Sequence, residues 1–82
     1  MALLGAALPP ETGLWYCEAT LMLDERVLRA GTLIQCARRW QSLSDEEKQR
    51  ALVRLALPVD GENVLQHEAI AALTQRPSFR FA

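Results

Sequence analysis

The residues that could carry out chemistry in this sequence are few and stand apart from one another. His67 is the only histidine, and it is the natural candidate for a general base or a proton relay. On a helix its neighbours Gln66 and Glu68 would point away from it, while Asn63 and Ala71 would share its face. No serine or cysteine is placed by sequence to act with it. We therefore interpret His67 as a surface or helix-side residue and predict no catalytic residue.

Paired carboxylates and glycine-rich loops give no stronger signal for an enzyme. The pairs Asp24-Glu25 and Glu46-Glu47 are adjacent in sequence, so their side chains would diverge on a helix, and capping explains the second pair. The four glycines stand alone at positions 5, 13, 31 and 61, which excludes a phosphate-binding glycine loop. We expect a protein that is not an enzyme and has no cofactor.

The two cysteines, Cys17 and Cys36, are the only disulfide candidates. On one straight helix they would lie about 28 Å apart, at about 1.5 Å per residue, which forbids a bridge. Together with His67 they offer too few ligands for a metal. We interpret them as reduced, small apolar core residues, and we predict a cytoplasmic protein without a metal site.

The length of the chain favours a single domain that is completed by a second subunit. The sequence has 82 residues, half of them apolar, and a net charge of −1. A chain of this size buries only about 60% of its unfolded surface and gains about 3–5 kcal/mol of net stability. Because neither a disulfide nor a metal is expected, we predict a homodimer. The net charge indicates no attraction to nucleic acid or membrane.

The middle of the chain is nevertheless basic. Residues 26–57 hold seven bases against three acids, and eight of the nine bases in the chain are arginine, which suits carboxylate or phosphate. The bases that could form a phosphate-binding face are Arg38, Arg39, Lys48, Arg50 and Arg54. Acids at positions 45–47 lie between them in sequence and would weaken such a patch. A nucleic-acid-binding regulator is therefore the alternative function, and solvated helix faces are the simpler explanation.

The element that organises the predicted fold is a long helix, or two helices in line, from Gly13 to Leu43. Steps of three and four residues join Tyr16, Thr20, Leu23, Val27, Ala30, Ile34, Ala37 and Gln41. This spacing predicts an all-α bundle of three to four helices built on the long N-terminal helix. The alternative is an α+β fold with an N-terminal β-hairpin around residues 14–35. Strong helix formers between residues 18 and 30 favour the helix.

Local signals define the remaining elements. Ser44 and Glu47 match a capping box that opens a helix to about Leu57, with Pro58 as its stop. A turn and a last helix over about Glu62–Gln75 follow, and residues 77–82 are expected to be an extended tail. Residues 1–10 form an apolar arm that is too short to span a bilayer. We predict no membrane association.

The candidate partner-binding residues are aromatic or arginine. They are Trp15, Tyr16, Arg38, Arg39, Phe79, Arg80 and Phe81. Large aromatic residues concentrate binding energy at interfaces, although packing in the core would explain the same residues. We predict a small, non-enzymatic regulatory or inhibitor protein that acts by protein–protein binding. Phages and mobile elements encode proteins of this physical kind, including anti-CRISPR proteins and antitoxins.

Overall fold

Five short helices and four strands form the part of the chain that the structure describes. The computed structural model describes residues 10–59 and 61–81. The helices are α1 (Pro10–Trp15), α2 (Leu33–Gln41), α3 (Asp45–Arg50), α4 (His67–Thr74) and α5 (Pro77–Phe81). The strands are β1 (Glu18–Leu23), β2 (Arg26–Thr32), β3 (Ala51–Val59) and β4 (Glu62–Leu65).

The first two strands form a tight antiparallel hairpin. Asp24 in its turn has a φ of 57°, a left-handed conformation that aspartate tolerates better than most residues. One extra residue in β2, Leu28, interrupts the register with β1. Leu28 packs against the core, whereas Val27 lies across from Met22. The hairpin therefore presents apolar residues to both sides of the sheet.

The four strands form one antiparallel sheet in the order β2-β1-β3-β4. The central contact joins strands that are distant in sequence, because Leu21 of β1 pairs with Val53 of β3. Helix α2 packs across β1 and β2, and α4 packs on β3 and β4. The result is a two-layer α+β fold.

The core lies between the sheet and the helices. It contains Trp15, Ala19, Leu21, Leu23, Leu33, Ile34, Cys36, Ala37, Trp40, Leu43, Ala51, Val53, Leu55, Leu65, Ile70 and Leu73. Every second residue of β1, beginning at Ala19, is buried, which is the pattern of a strand that is covered on one face. One face of the sheet thus supplies the core.

Capping boxes fix where α2 and α3 begin. The Thr32 hydroxyl accepts from the amide of Gln35 at 3.4 Å, and the Gln35 side chain accepts from the amide of Thr32 at 3.1 Å. Ser44 and Glu47 make the same pair of contacts at 3.2 and 3.1 Å. The capping box predicted at Ser44 is therefore confirmed.

The predicted all-α bundle is wrong, and the description of the protein as helical is wrong with it. The region expected to form the long helix contains α1, β1, β2 and α2 instead. Helix propensities differ by only a few tenths of a kcal/mol per residue, so pairing of β1 with strands on both sides outweighs them. The α+β alternative with a hairpin around residues 14–35 describes the observed class, although β1 begins at Glu18, four residues after the start of that range.

The later boundaries also differ from the predictions. Helix α3 ends at Arg50, and the residues expected to extend it form β3, which includes Pro58. Residues Glu62–Leu65 form β4 rather than the start of the last helix, and the expected extended tail contains α5. In each case the prediction extended a local signal over residues that instead pair in the sheet or pack against another helix. Of the apolar arm, residues 1–9 lie outside the described residues.

Candidate protein-binding surface

None of the described helices packs on the second face of the sheet. Paired residues of antiparallel strands project to the same side, so the registers identify the residues on each face. The uncovered side, named the open face below, consists of the cross-strand rows Val27–Met22–Leu52, Ala30–Thr20–Arg54–Val64 and Thr32–Glu18, with Ala56 next on β3. The open face thus contains an apolar row beside a row of small and polar residues.

The apolar side chains of the open face are accessible to solvent. Val27 is 58% exposed and Val64 is 43% exposed, while Met22 and Leu52 are half-buried. Within residues 10–59 and 61–81, α2 and α4 pack on the opposite face, together with the buried residues of β1 and β3. The solvated face of an antiparallel sheet is usually polar, whereas this face also carries a row of apolar residues. The open face is therefore the best candidate for a binding surface.

A depression of about 550 Å³ lies at one end of the open face. Its lining includes the small residues Thr20, Ala30 and Ala56, which keep the surface low between longer side chains. Glu18 and Arg54 also line it, and neither takes part in an ion pair with a described residue. The depression therefore offers one acid and one base to a partner.

Trp15 and Phe79, two of the predicted partner-binding residues, contact each other. Trp15 is completely buried, and its indole N–H donates to the Ser78 hydroxyl at 2.8 Å. The ring centroids of Trp15 and Phe79 are 5.3 Å apart and the ring planes are tilted by 54°, within the distance range of favourable aromatic pairs. These side chains join α1 to α5, so the binding surface proposed below does not use them.

The other predicted partner-binding residues lie among the helices. Tyr16 is 56% exposed, directly after α1. Arg38 and Arg39 are exposed in the last turn of α2, where Arg39 donates to Ser42 at 2.7 Å. Arg80 is exposed on α5, and the side chain of Phe81 lies outside the described part of the structure. Arg38 and Arg39 thus belong to the helical layer, the helices that pack on the side of the sheet opposite the open face.

The five bases considered for nucleic-acid binding do not form one patch. Arg50 pairs with Asp24 at 3.3 Å and with Glu46 at 2.9 Å. The Lys48 ammonium lies 5.1 Å from the centre of the Trp40 ring. Another base, Arg54, belongs to the open face, whereas Arg38 and Arg39 belong to the helical layer. Four of the five bases thus lie on α2 and α3, and the fifth lies on the open face.

The thiols and His67 are not arranged as a reactive centre. Burial raises the pKa of Cys17 and of Cys36, so both thiols stay protonated near neutral pH. The separation of about 28 Å expected for the two cysteines assumed one long helix, so it does not apply to the observed fold. Both cysteines are free thiols in the structure. His67 lines a depression of about 360 Å³, and the described residues that line it include no hydroxyl or thiol. No cluster of three metal-ligating side chains occurs among the described residues.

Sequence reasoning did not identify the open face. It required knowing that Met22 pairs with Val27 and Leu52, a contact between three strands. The available signal was the apolar run Leu21-Met22-Leu23, which weakens the alternation expected of a strand with one polar face. That weak alternation argued against a strand, whereas it reflects a strand with apolar residues on both faces.

No helix in the described chain is long and apolar enough to cross a membrane. Comparisons of the chain with protein-family models, curated proteins and solved structures found no match.

Proposed function

We propose that this protein is a small regulatory or inhibitor protein that is not an enzyme and acts by protein–protein binding through its open face. One observation carries the proposal: the open face combines exposed apolar residues with no covering element among the described residues. Contiguous exposed apolar patches on small proteins mark interaction sites. The depression between Glu18 and Arg54 adds polar groups that can orient a partner.

The helical layer supplies a second surface for the same function. Tyr16 is an exposed aromatic residue, and Arg38 and Arg39 lie on a helix that contains no acid. Aromatic residues and arginine are enriched at protein interfaces. We propose that these residues, with Arg80, contact a regulated protein, and that they do so in the cytoplasm. The inhibitors and antitoxins of phages and mobile elements are the class we propose for it.

Site-specific photo-crosslinking tests the open face directly. A photoreactive amino acid replaces Val27 in one variant and Leu57 in the control variant. Leu57 is also apolar and is 69% exposed, but it lies in the irregular part of β3 beyond the regular pairs. We expect a protein adduct from position 27 and none, or a much weaker one, from position 57. Circular dichroism and thermal unfolding verify that both variants remain folded.

The size of the adduct identifies what occupies the face. An adduct with any protein, including another copy of this chain, supports the proposal if it disappears when Met22→Asp is added. Equal labelling from positions 27 and 57, or a crosslink from position 27 only to residues 1–9 of its own chain, would contradict binding through the open face.

A further inference from the structure

We infer that the partner at the open face is a second copy of this chain, packed sheet against sheet. The inference rests on the proposed function, because it names the protein that binds there. Two twisted sheets that pack face to face lie about 10 Å apart, with side chains of both inner faces between them. The open face is suited to such packing, because its apolar row and its small residues lie side by side on hydrogen-bonded strands.

The charges of the open face are complementary to themselves. Glu18 and Arg54 lie on neighbouring strands and in adjacent rows, and neither has an ion-pair partner among the described residues. In a two-fold interface every contact occurs twice: if one residue of the first copy contacts a different residue of the second, the same two positions also meet with the copies exchanged. One such rotation places Glu18 of each copy opposite Arg54 of the other. A single acid and a single base thereby form two intermolecular ion pairs.

The depression provides space for these contacts. It is lined by Glu18 and Arg54 together with small side chains such as Thr20, Ala30 and Ala56. An arginine side chain from a facing sheet is long enough to enter it and to reach Glu18, while its stem covers apolar surface. A flat polar surface would exclude water from an ion pair less well than this depression does. The shape and the charge of the depression thus favour the same occupant.

The size of the chain supports a second copy independently. A domain of 82 residues has a small core and commonly gains stability from a disulfide, a metal or oligomerisation. Both cysteines are free in the structure, and the described residues hold no metal-ligating cluster. Burial of the open face in a dimer would supply the missing apolar contact area.

Charge reversal tests the inference with the full-length chain. We compare wild type, Glu18→Arg, Arg54→Glu and the variant that carries both changes, using sedimentation equilibrium over a range of concentrations. Wild type should have a mass of twice 9.2 kDa. Each single variant should dissociate at least about tenfold more readily, because like charges then face each other twice. The double variant should recover dimerisation.

Mixing the two single variants separates an interaction between chains from one within a chain. In a heterodimer of Glu18→Arg with Arg54→Glu, both facing pairs are of opposite charge, so the mixture should dimerise more tightly than either variant alone. A pair within one chain would remain repulsive in every molecule of the mixture. Circular dichroism of each variant confirms the fold, and both substituted side chains are exposed.

The remaining outcomes overturn the inference in distinguishable ways. If wild type is monomeric but position 27 still crosslinks to a different protein, the second copy is wrong and the proposed function stands. If wild type is monomeric and position 27 labels nothing beyond its own chain, both fail. A wild-type dimer that is indifferent to charge reversal and to mixing would place the dimer interface on another surface.

Discussion

At the scale of single residues, the start of α2 depends on the absence of a side chain at Gly31. A Cβ built at this position would overlap the carboxamide oxygen of Gln35. That oxygen accepts the amide hydrogen of Thr32 and so completes the capping box of α2. The glycine is therefore coupled to the cap, and through the cap to the orientation of the helix that covers β1 and β2.

Gly31→Ala should lower the free energy of unfolding by about 1–2 kcal/mol, the value of a helix cap. The added methyl group displaces Gln35, and the amide of Thr32 loses its acceptor. In a Gln35→Ala background the same change should cost less, since the side-chain acceptor of the Thr32 N–H is already absent and only the strain of alanine at a φ of 158° remains. Gly13→Ala is the matched control, because nothing lies within 4 Å of its Cβ and alanine favours α1. Urea denaturation measures all four variants, and equal costs in both backgrounds would contradict the coupling.

The carboxylate of Glu47 should make the protein sensitive to acid. The backbone N–H and the hydroxyl of Ser44 donate to it, and these bonds lower the pKa of Glu47 from its ordinary 4.5. A group whose pKa is lowered by folding stabilises the folded state above its unfolded pKa and loses that effect as the pH falls through its folded pKa. The stabilisation from Glu47 is thus present at pH 7 and declines below about pH 4.5.

Glu47→Gln should therefore show a smaller loss of stability than wild type between pH 6 and pH 3. Glutamine retains an oxygen that can accept from Ser44, but it carries no titrating proton. Ser44→Ala should reduce the acid sensitivity as well, because it removes a donor hydroxyl. Urea midpoints across this pH range give the comparison, and parallel curves for wild type and Glu47→Gln would exclude the effect.

At the scale of elements, α5 is held to the rest of the protein through α1. Its Phe79 ring packs on Trp15, and its Ser78 accepts the indole N–H. Because Trp15 is completely buried, this N–H has no access to water and depends on Ser78. The last described helix is thus part of the folded domain, although the sequence suggested an extended tail.

Ser78→Ala should cost about 1–3 kcal/mol of unfolding free energy, because it leaves a buried donor unpaired. Trp15→Phe removes the donor itself, so Ser78→Ala should cost less in that background than in wild type. Gln75→Ala, an exposed change just before α5, serves as the control. A double-mutant cycle by chemical denaturation gives the coupling energy. Additive costs would show that the Ser78 hydroxyl is not the partner of the indole.

Elements could be predicted from the sequence where their signals are local. The start of α3 follows from Ser44 and Glu47, two residues that satisfy each other's hydrogen bonds. Its end does not, because β3 pairs with β1, about 30 residues earlier in the chain, and with β4, which follows it. The hairpin turn at Asp24 is local too, but its flanking residues are good helix formers. Pairing partners that are distant in sequence decided both regions, and the open face depends on the same pairing.

At the scale of the whole molecule, dimerisation through the open face should make thermal stability depend on concentration. If only the folded chain binds a second copy, dimerisation stabilises the folded state by mass action. For a domain of this size we expect the midpoint of thermal unfolding to rise by about 3–5 °C for each tenfold increase in protein concentration. The Glu18→Arg variant should show little or no rise at the same concentrations, because it no longer dimerises there.

Glu68→Arg provides the matched control for this measurement. It makes the same change of charge on α4, in the helical layer, and should retain the concentration dependence of wild type. Scanning calorimetry at three or more concentrations covers the required range. If wild type and Glu18→Arg respond equally to concentration, the folded state does not depend on the open face. A second copy is then not bound at this face, and the apolar row of Val27, Met22 and Leu52 must serve a different partner.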